Sequence, residues 1–153
     1  MGDSRFGWTG PGVGSRFGAV DREELQARTK AFALRVMRMT DALPQSAKGR
    51  VLGNQILRSA TAVASGYRAA CRARSRADWI DKIGRTLEET DESVLWLELI
   101  GAGGLLPVDE VAALRQEGQE LTRIFASIHI TSKSRDLAPQ IPNPESSTPN
   151  PKS

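Results

Sequence analysis

Residues 45–73, QSAKGRVLGNQILRSATAVASGYRAACRA, decide the fold. Leu52, Ile56, Ala60, Val63, Tyr67 and Ala70 recur at steps that keep them on one stripe of a helix. A helix that long must bury its stripe against other helices, and the small residues Ser59, Ala60, Ala62 and Ala64 let neighbours approach closely.

Three further helical patterns surround it. Leu25, Phe32, Val36, Met39 and Leu43 form the stripe of a preceding helix that starts near Asp21 and is ended by Pro44. Ser75 with Asp78 resembles a capping box and opens a third helix carrying Ile80, Ile83, Leu87, Val94 and Leu97. Gly101-Ala102-Gly103-Gly104 stops it. Pro107 then suits the first turn of a fourth helix, with Asp109 and Glu110 near its positive end, Leu114, Leu121, Phe125 and Ile128 buried, and fraying near Ser132. No strand pattern competes. The expected fold is all-α, an antiparallel up-down-up-down four-helix bundle over residues 21–135.

The ends read differently. Residues 1–20, rich in glycine, form a flexible tail in which Ser4-Arg5-Phe6-Gly7 recurs as Ser15-Arg16-Phe17-Gly18, with Trp8 between. Such Arg-aromatic elements either dock onto a partner or recur by chance in a biased segment. Residues 136–153 are dense in proline and are expected to be a disordered tail.

Composition narrows the function. With 39% hydrophobic and only 5% aromatic residues, the core rests on Ala, Leu, Ile and Val. A net charge of +3 permits acidic partners without demanding them. The one cysteine, Cys71, rules out an internal disulfide and fits the cytoplasm, and no apolar run is long enough to span a bilayer. Enzyme signals are thin. His129 is the single histidine, Cys71 has no base and orienting acid beside it in sequence, and Glu88, Glu89 and Glu92 lack the Glu-x-x-His pairing of carboxylate metal sites. No catalytic residue, cofactor or metal is assigned.

Charge, in contrast, is segregated. Arg50, Arg58, Arg68, Arg72 and Arg76 fall within an arc of roughly 80° opposite the apolar stripe and form one ridge. Glu88, Glu89, Asp91, Glu92 and Glu98 gather on the third helix. The arginine ridge has three readings: a solvated face, a cradle for the phosphates of a polyanion, or an assembly surface that meets the acids of another subunit. Arg68, Arg72 and Arg76 are the foremost phosphate ligands, and nothing beside them reads base identity. Trp96 and Leu99 lie off the third helix's stripe; they form either an exposed patch for a partner or a surface covered by the chain itself.

Two segments carry a family resemblance. The first is Gln55-Ile56-Leu57-Arg58-Ser59-Ala60-Thr61-Ala62-Val63; the second is Ser75-Arg76-Ala77-Asp78-Trp79-Ile80, followed by Leu87-Glu88-Glu89 and Leu97-Glu98-Leu99. They resemble the Gln-Ile-Arg-Arg-Ala run and the Ser-x-x-Glu-Phe opening of the proteins encoded by intervening sequences of bacterial 23S ribosomal RNA genes. The accessory variability proteins of diversity-generating retroelements are similar bundles. The resemblance covers about residues 25–133. At Ser65-Gly66-Tyr67-Arg68-Ala69-Ala70 the chain departs from the relatives' Ser-Asn-Ile-Ala-Glu-Gly, losing an Asn and an acid and gaining Arg68. The resemblance implies a closed bundle without catalytic activity and a ring-like homo-oligomer, often a homopentamer. For the accessory variability branch it also implies binding to nucleic acid and to a reverse transcriptase. The combined expectation is a bundle that binds RNA or DNA through the arginine face as an accessory of a nucleic-acid-processing enzyme. The alternative is an oligomeric adaptor that recruits a protein through Trp96, Leu99 or the tail bearing the repeated Ser-Arg-Phe-Gly.

Overall fold

The structure, a computed structural model, describes residues 21–137. The expectations for the segment 1–20, with its repeated Ser-Arg-Phe-Gly, and for residues 138–153 lie outside the described residues.

Four helices follow in order: α1 (Arg22–Asp41), α2 (Ala47–Ala70), α3 (Arg76–Ala102) and α4 (Val108–Leu137), each joined to the next by five residues. No strand occurs among the described residues. Connections this short return the chain antiparallel to itself. Each helix packs on its neighbours in sequence, α1 closes more sparingly on α4, and the backbones of diagonal pairs stay apart. This is the expected up-down-up-down bundle.

Local chemistry sets the boundaries. Asp21 stands at the N-cap of α1 in extended backbone, although its side chain makes no capping bond. The helix stops at Asp41, three residues before Pro44. The Ser46 hydroxyl accepts the Gly49 N–H at 3.1 Å and starts α2. Gly49 is obligatory there, because a Cβ would lie 1.9 Å from the Pro44 carbonyl oxygen. At its other end α2 closes at Ala70, short of the Ala73 that periodicity suggested. The Ser75 hydroxyl accepts the Asp78 N–H at 3.1 Å, and the Asp78 carboxylate takes the Arg74 N–H at 3.0 Å. Together they tighten the turn and begin α3. Gly104, at φ 71°, makes the left-handed step after α3.

The predicted stripes supply most of the core. Leu25, Phe32, Val36, Ile56, Val63, Ile83, Leu97, Leu121 and Phe125 are essentially sealed, whereas Met39, Leu52, Ile80 and Leu87 sit half-buried at its edge. The rings of Tyr67 and Phe125 meet across a bundle diagonal, centroids 5.5 Å apart.

The buried face of α3 differs from the one expected. It is centred on Trp79, Thr86, Thr90, Ser93 and Leu97, and turns polar residues toward the core. Those hydroxyls are satisfied locally: Thr86 donates to the Lys82 carbonyl at 2.8 Å and Thr90 to that of Thr86 at 2.6 Å. Ser93 Oγ lies 2.8 Å from both Ser59 Oγ and the Glu89 carbonyl. Opposite Thr86, Gly66 brings α2 so near that a Cβ would stand 2.7 Å from Thr86 Oγ1.

Two further fastenings close the bundle. Arg28 on α1 holds Glu117 of α4 at 2.6 and 3.1 Å and Glu120 at 3.2 Å, a forked pair that raises the guanidinium pKa further. Ser132 is pinned from α3, its hydroxyl by Trp79 Nε1 at 3.0 Å and its carbonyl by Arg76 Nη2 at 2.6 Å. This explains a correction. The fourth helix does not fray at Ser132 but continues to Leu137, two residues into the segment expected to be tail.

Candidate nucleic-acid interface

The arginine ridge does not survive folding as one continuous face. With α2 ending at Ala70, Arg72 falls in the connection to α3, and Arg76 is the first residue of α3. Arg58 is held by acids of its own chain: its guanidinium donates to Glu89 at 3.1 Å and Glu92 at 2.5 Å. The acids of α3 thus meet this ridge residue within the subunit. Arg50 is exposed at the start of α2, its Nη1 on the Gln45 carbonyl at 2.5 Å, and lies at the end of the bundle away from Arg72. Arg76 is half-buried and spends a donor on Ser132.

Arg68 and Arg72 remain exposed and come together with two cations that the helical wheel missed. A groove of about 660 Å³ opens between the end of α2 and the start of α3, lined by Ser65, Arg68, Arg72, Arg74, Asp78 and Lys82. Arg74 reaches it because the 71–75 turn folds back beside α3. Lys82 reaches it by standing one turn after Asp78, with which it forms an i,i+4 ion pair. That ammonium first, and the Arg74 amide second, hold the Asp78 carboxyl below the usual carboxylate range. The one acid in the groove is therefore already matched. The guanidiniums of Arg68, Arg72 and Arg74 form no ion pair among the described residues, although the Arg74 charge also helps to hold the Asp78 carboxyl down. Three unmatched guanidiniums in one groove can bind several phosphate oxygens at once. The Asp78/Lys82 spacing was the sequence signal that could have found half of this site.

The expected apolar patch is also changed. Leu99 is 42% exposed and shares the outer face of α3 with Leu95, at 46%. Trp96 is not exposed: it packs against the core, and its indole N–H is buried without an acceptor. It stands one turn beyond Glu92, which pairs with Arg58 of α2.

The other titratable candidates stay apart. His129 sits in a separate groove of about 510 Å³ between α3 and α4, beside Glu88, Arg85 and Lys133. Burial, then the Lys133 charge, lowers its pKa, and Glu88 opposes them. Cys71 caps α2 half-buried, and burial followed by this neighbouring thiol pushes the Tyr67 phenol upward. Glu89 and Glu92 are engaged by Arg58, and no set of three metal-ligating side chains occurs among the described residues. No helix among these residues is long and apolar enough to cross a membrane.

A sequence model of the 23S rRNA-intervening sequence protein matches residues 23–127. Among solved structures, a protein of unknown function from the S23 ribosomal protein family of Bacteroides thetaiotaomicron superposes with a TM-score of 0.64 at 30% identity. The match covers 69% of this chain and 97% of that one. No curated protein matches the chain significantly.

Proposed function

The chain belongs to the 23S rRNA-intervening sequence protein family, and from that premise we propose that it is a non-enzymatic nucleic-acid-binding bundle. It takes the phosphate backbone of RNA or DNA in the groove formed by Arg68, Arg72, Arg74 and Lys82 and serves as an accessory of a nucleic-acid-processing enzyme, such as a reverse transcriptase. The observation that carries this reading is the convergence in one groove of three guanidiniums that form no ion pair among the described residues, whereas Arg28, Arg58 and Arg85 are each held by carboxylates of their own chain. The names of the family and of the structural relative, both tied to ribosomal components, agree with a nucleic-acid partner. Among the described residues no aromatic side chain lines the groove, so it grips backbone and does not stack bases.

The adaptor reading, in which an oligomer recruits a protein, retains Leu95 and Leu99 but loses its aromatic anchor, because Trp96 is half-buried. The groove is the better supported of the two.

The test is a salt titration of oligonucleotide binding. Each phosphate contact contributes about 0.7–0.9 to the slope of log affinity against log salt, so Arg68→Ala/Arg72→Ala/Arg74→Ala lowers the slope by about 2. A control of equal charge, Arg38→Ala/Arg115→Ala/Arg123→Ala at exposed positions on α1 and α4, leaves it unchanged. Equal losses in both triples would reduce the effect to net charge and refute a dedicated site.

A further inference from the structure

On its other flank, facing α1, the same stretch of α2 borders a second groove, of about 650 Å³. It shares Ser65 and Arg68 with the cationic groove. A ligand seated on Arg68 therefore reaches both by crossing α2, and the crossing is low because Ser65 and Ala69 form the top of the helix there.

The two grooves differ in chemistry. In the α1-facing one Glu23 offsets Lys30, which leaves Arg68, at the shared edge, as the source of net charge. A carboxylate inside makes the interior a poor place for phosphate. Its floor is methyl groups, from Ala27, Ala33 and Ala64, and its volume falls within the range of small-molecule sites. Its polar groups comprise the donors Lys30 and, at the shared edge, Arg68, and a set of acceptors. The Thr61 hydroxyl spends its hydrogen on the Leu57 carbonyl, 2.7 Å away, and Ser65 spends its own on the Ala62 carbonyl at 3.3 Å, so both present lone pairs outward. Glu23 can only accept, and the Gln26 side chain, which has no partner among the described residues, can do both.

We propose that this α1-facing groove is a base pocket: it receives one unpaired nucleobase of a single-stranded nucleic acid whose adjoining phosphate lies on Arg68. Acceptors paired with a carboxylate select bases that carry an exocyclic amino group, as adenine, cytosine and guanine do and uracil and thymine do not. The inference rests on the backbone-binding role of the cationic groove and adds to it a preference for single strands and for amino-bearing bases. The sequence showed no base-reading element because the groove joins residues of α1 to residues of α2.

The experiment compares the full chain with two variants, using fluorescence anisotropy with labelled oligocytidylate, oligouridylate, a mixed-sequence strand free and hybridised, and inorganic polyphosphate as a ligand without bases. The unsubstituted protein is expected to prefer cytidine over uridine by about tenfold, the scale of one well-made base contact, and the free strand over the duplex. The preference holds for ribose and deoxyribose strands alike. Ala27→Leu/Ala64→Leu fills the groove with good helix formers and should abolish both preferences while affinity for polyphosphate is unchanged. Glu23→Gln, a smaller change, should reduce the cytidine preference without weakening polyphosphate binding, which the loss of a negative charge can only strengthen. Equal binding of the two homopolymers, or a preference that survives groove filling, overturns the base pocket and leaves the backbone role standing. Absence of binding to every ligand, polyphosphate included, overturns both.

Discussion

Replacing Gly66 with alanine tests the closest approach that a glycine makes between two helices, and local and tertiary effects there have opposite signs. Within a helix, Gly→Ala is worth about 1 kcal/mol of added stability, because alanine loses less backbone entropy. Here the new Cβ would meet Thr86 Oγ1 at 2.7 Å, where ordinary contact begins at 3.4 Å. The hydroxyl cannot yield freely, since it is bonded to the Lys82 carbonyl at 2.8 Å. Overpacking of this kind costs about 1–3 kcal/mol, so the net loss is about 1 kcal/mol. For a domain of this size that lowers the Tm by about 4 °C. The decisive measurement is the double-mutant cycle followed by thermal denaturation. In a Thr86→Ala background the next contact, the Cβ of residue 86 at 3.7 Å, is unstrained, so Gly66→Ala should then raise the Tm by about 4 °C. A Gly66→Ala protein that melts higher than the parent with Thr86 intact would refute the packing argument. Any larger side chain at this position would meet the same hydroxyl, which is a physical reason for glycine in a chain that has threonine opposite.

Two further outcomes follow from the ion pairs and the half-buried histidine. Arg58→Ala should leave the salt slope of oligonucleotide binding at the parent value, because Glu89 and Glu92 already occupy the guanidinium; a drop of about 0.7–0.9, one phosphate contact, would place a phosphate there after all. His129 has its pKa lowered in the folded state, by burial first and by Lys133 second, against the opposing pull of Glu88. The unfolded chain then binds the proton more readily, so this contribution is fully present above the unfolded value of about 6.5 and is lost as pH falls through the folded pKa. Denaturant titrations of the parent and His129→Gln across that window should show a decline in the parent that the variant lacks, and parallel curves would refute it.

How much could be read in advance varies along the chain. The cap at Ser75 and the glycines after α3 are local signals, and the structure uses each of them as such, whereas the expected cap at Asp21 makes no side-chain bond. The α2 stripe was legible because its buried residues are apolar. The α3 stripe was read about one position off, since Thr86, Thr90 and Ser93 count as polar in any hydropathy pattern yet are buried with their hydroxyls turned back onto their own helix. Of the expected site, Arg68 and Arg72 stand in the groove, while Arg50, Arg58 and Arg76 were drawn away by a carbonyl, two carboxylates and Ser132.

The sequence by itself determined four amphipathic helices, their approximate ends and their antiparallel order, because these depend on spacing within one segment and on short connections. Only the tertiary structure decided which arginines are available. Whether a charge meets a carboxylate or open water depends on the register between helices distant in sequence, as when Arg58 meets Glu89 while Arg68, three turns further along, faces a groove. Periodicity shows which side of a helix faces outward; it carries no information about what stands opposite.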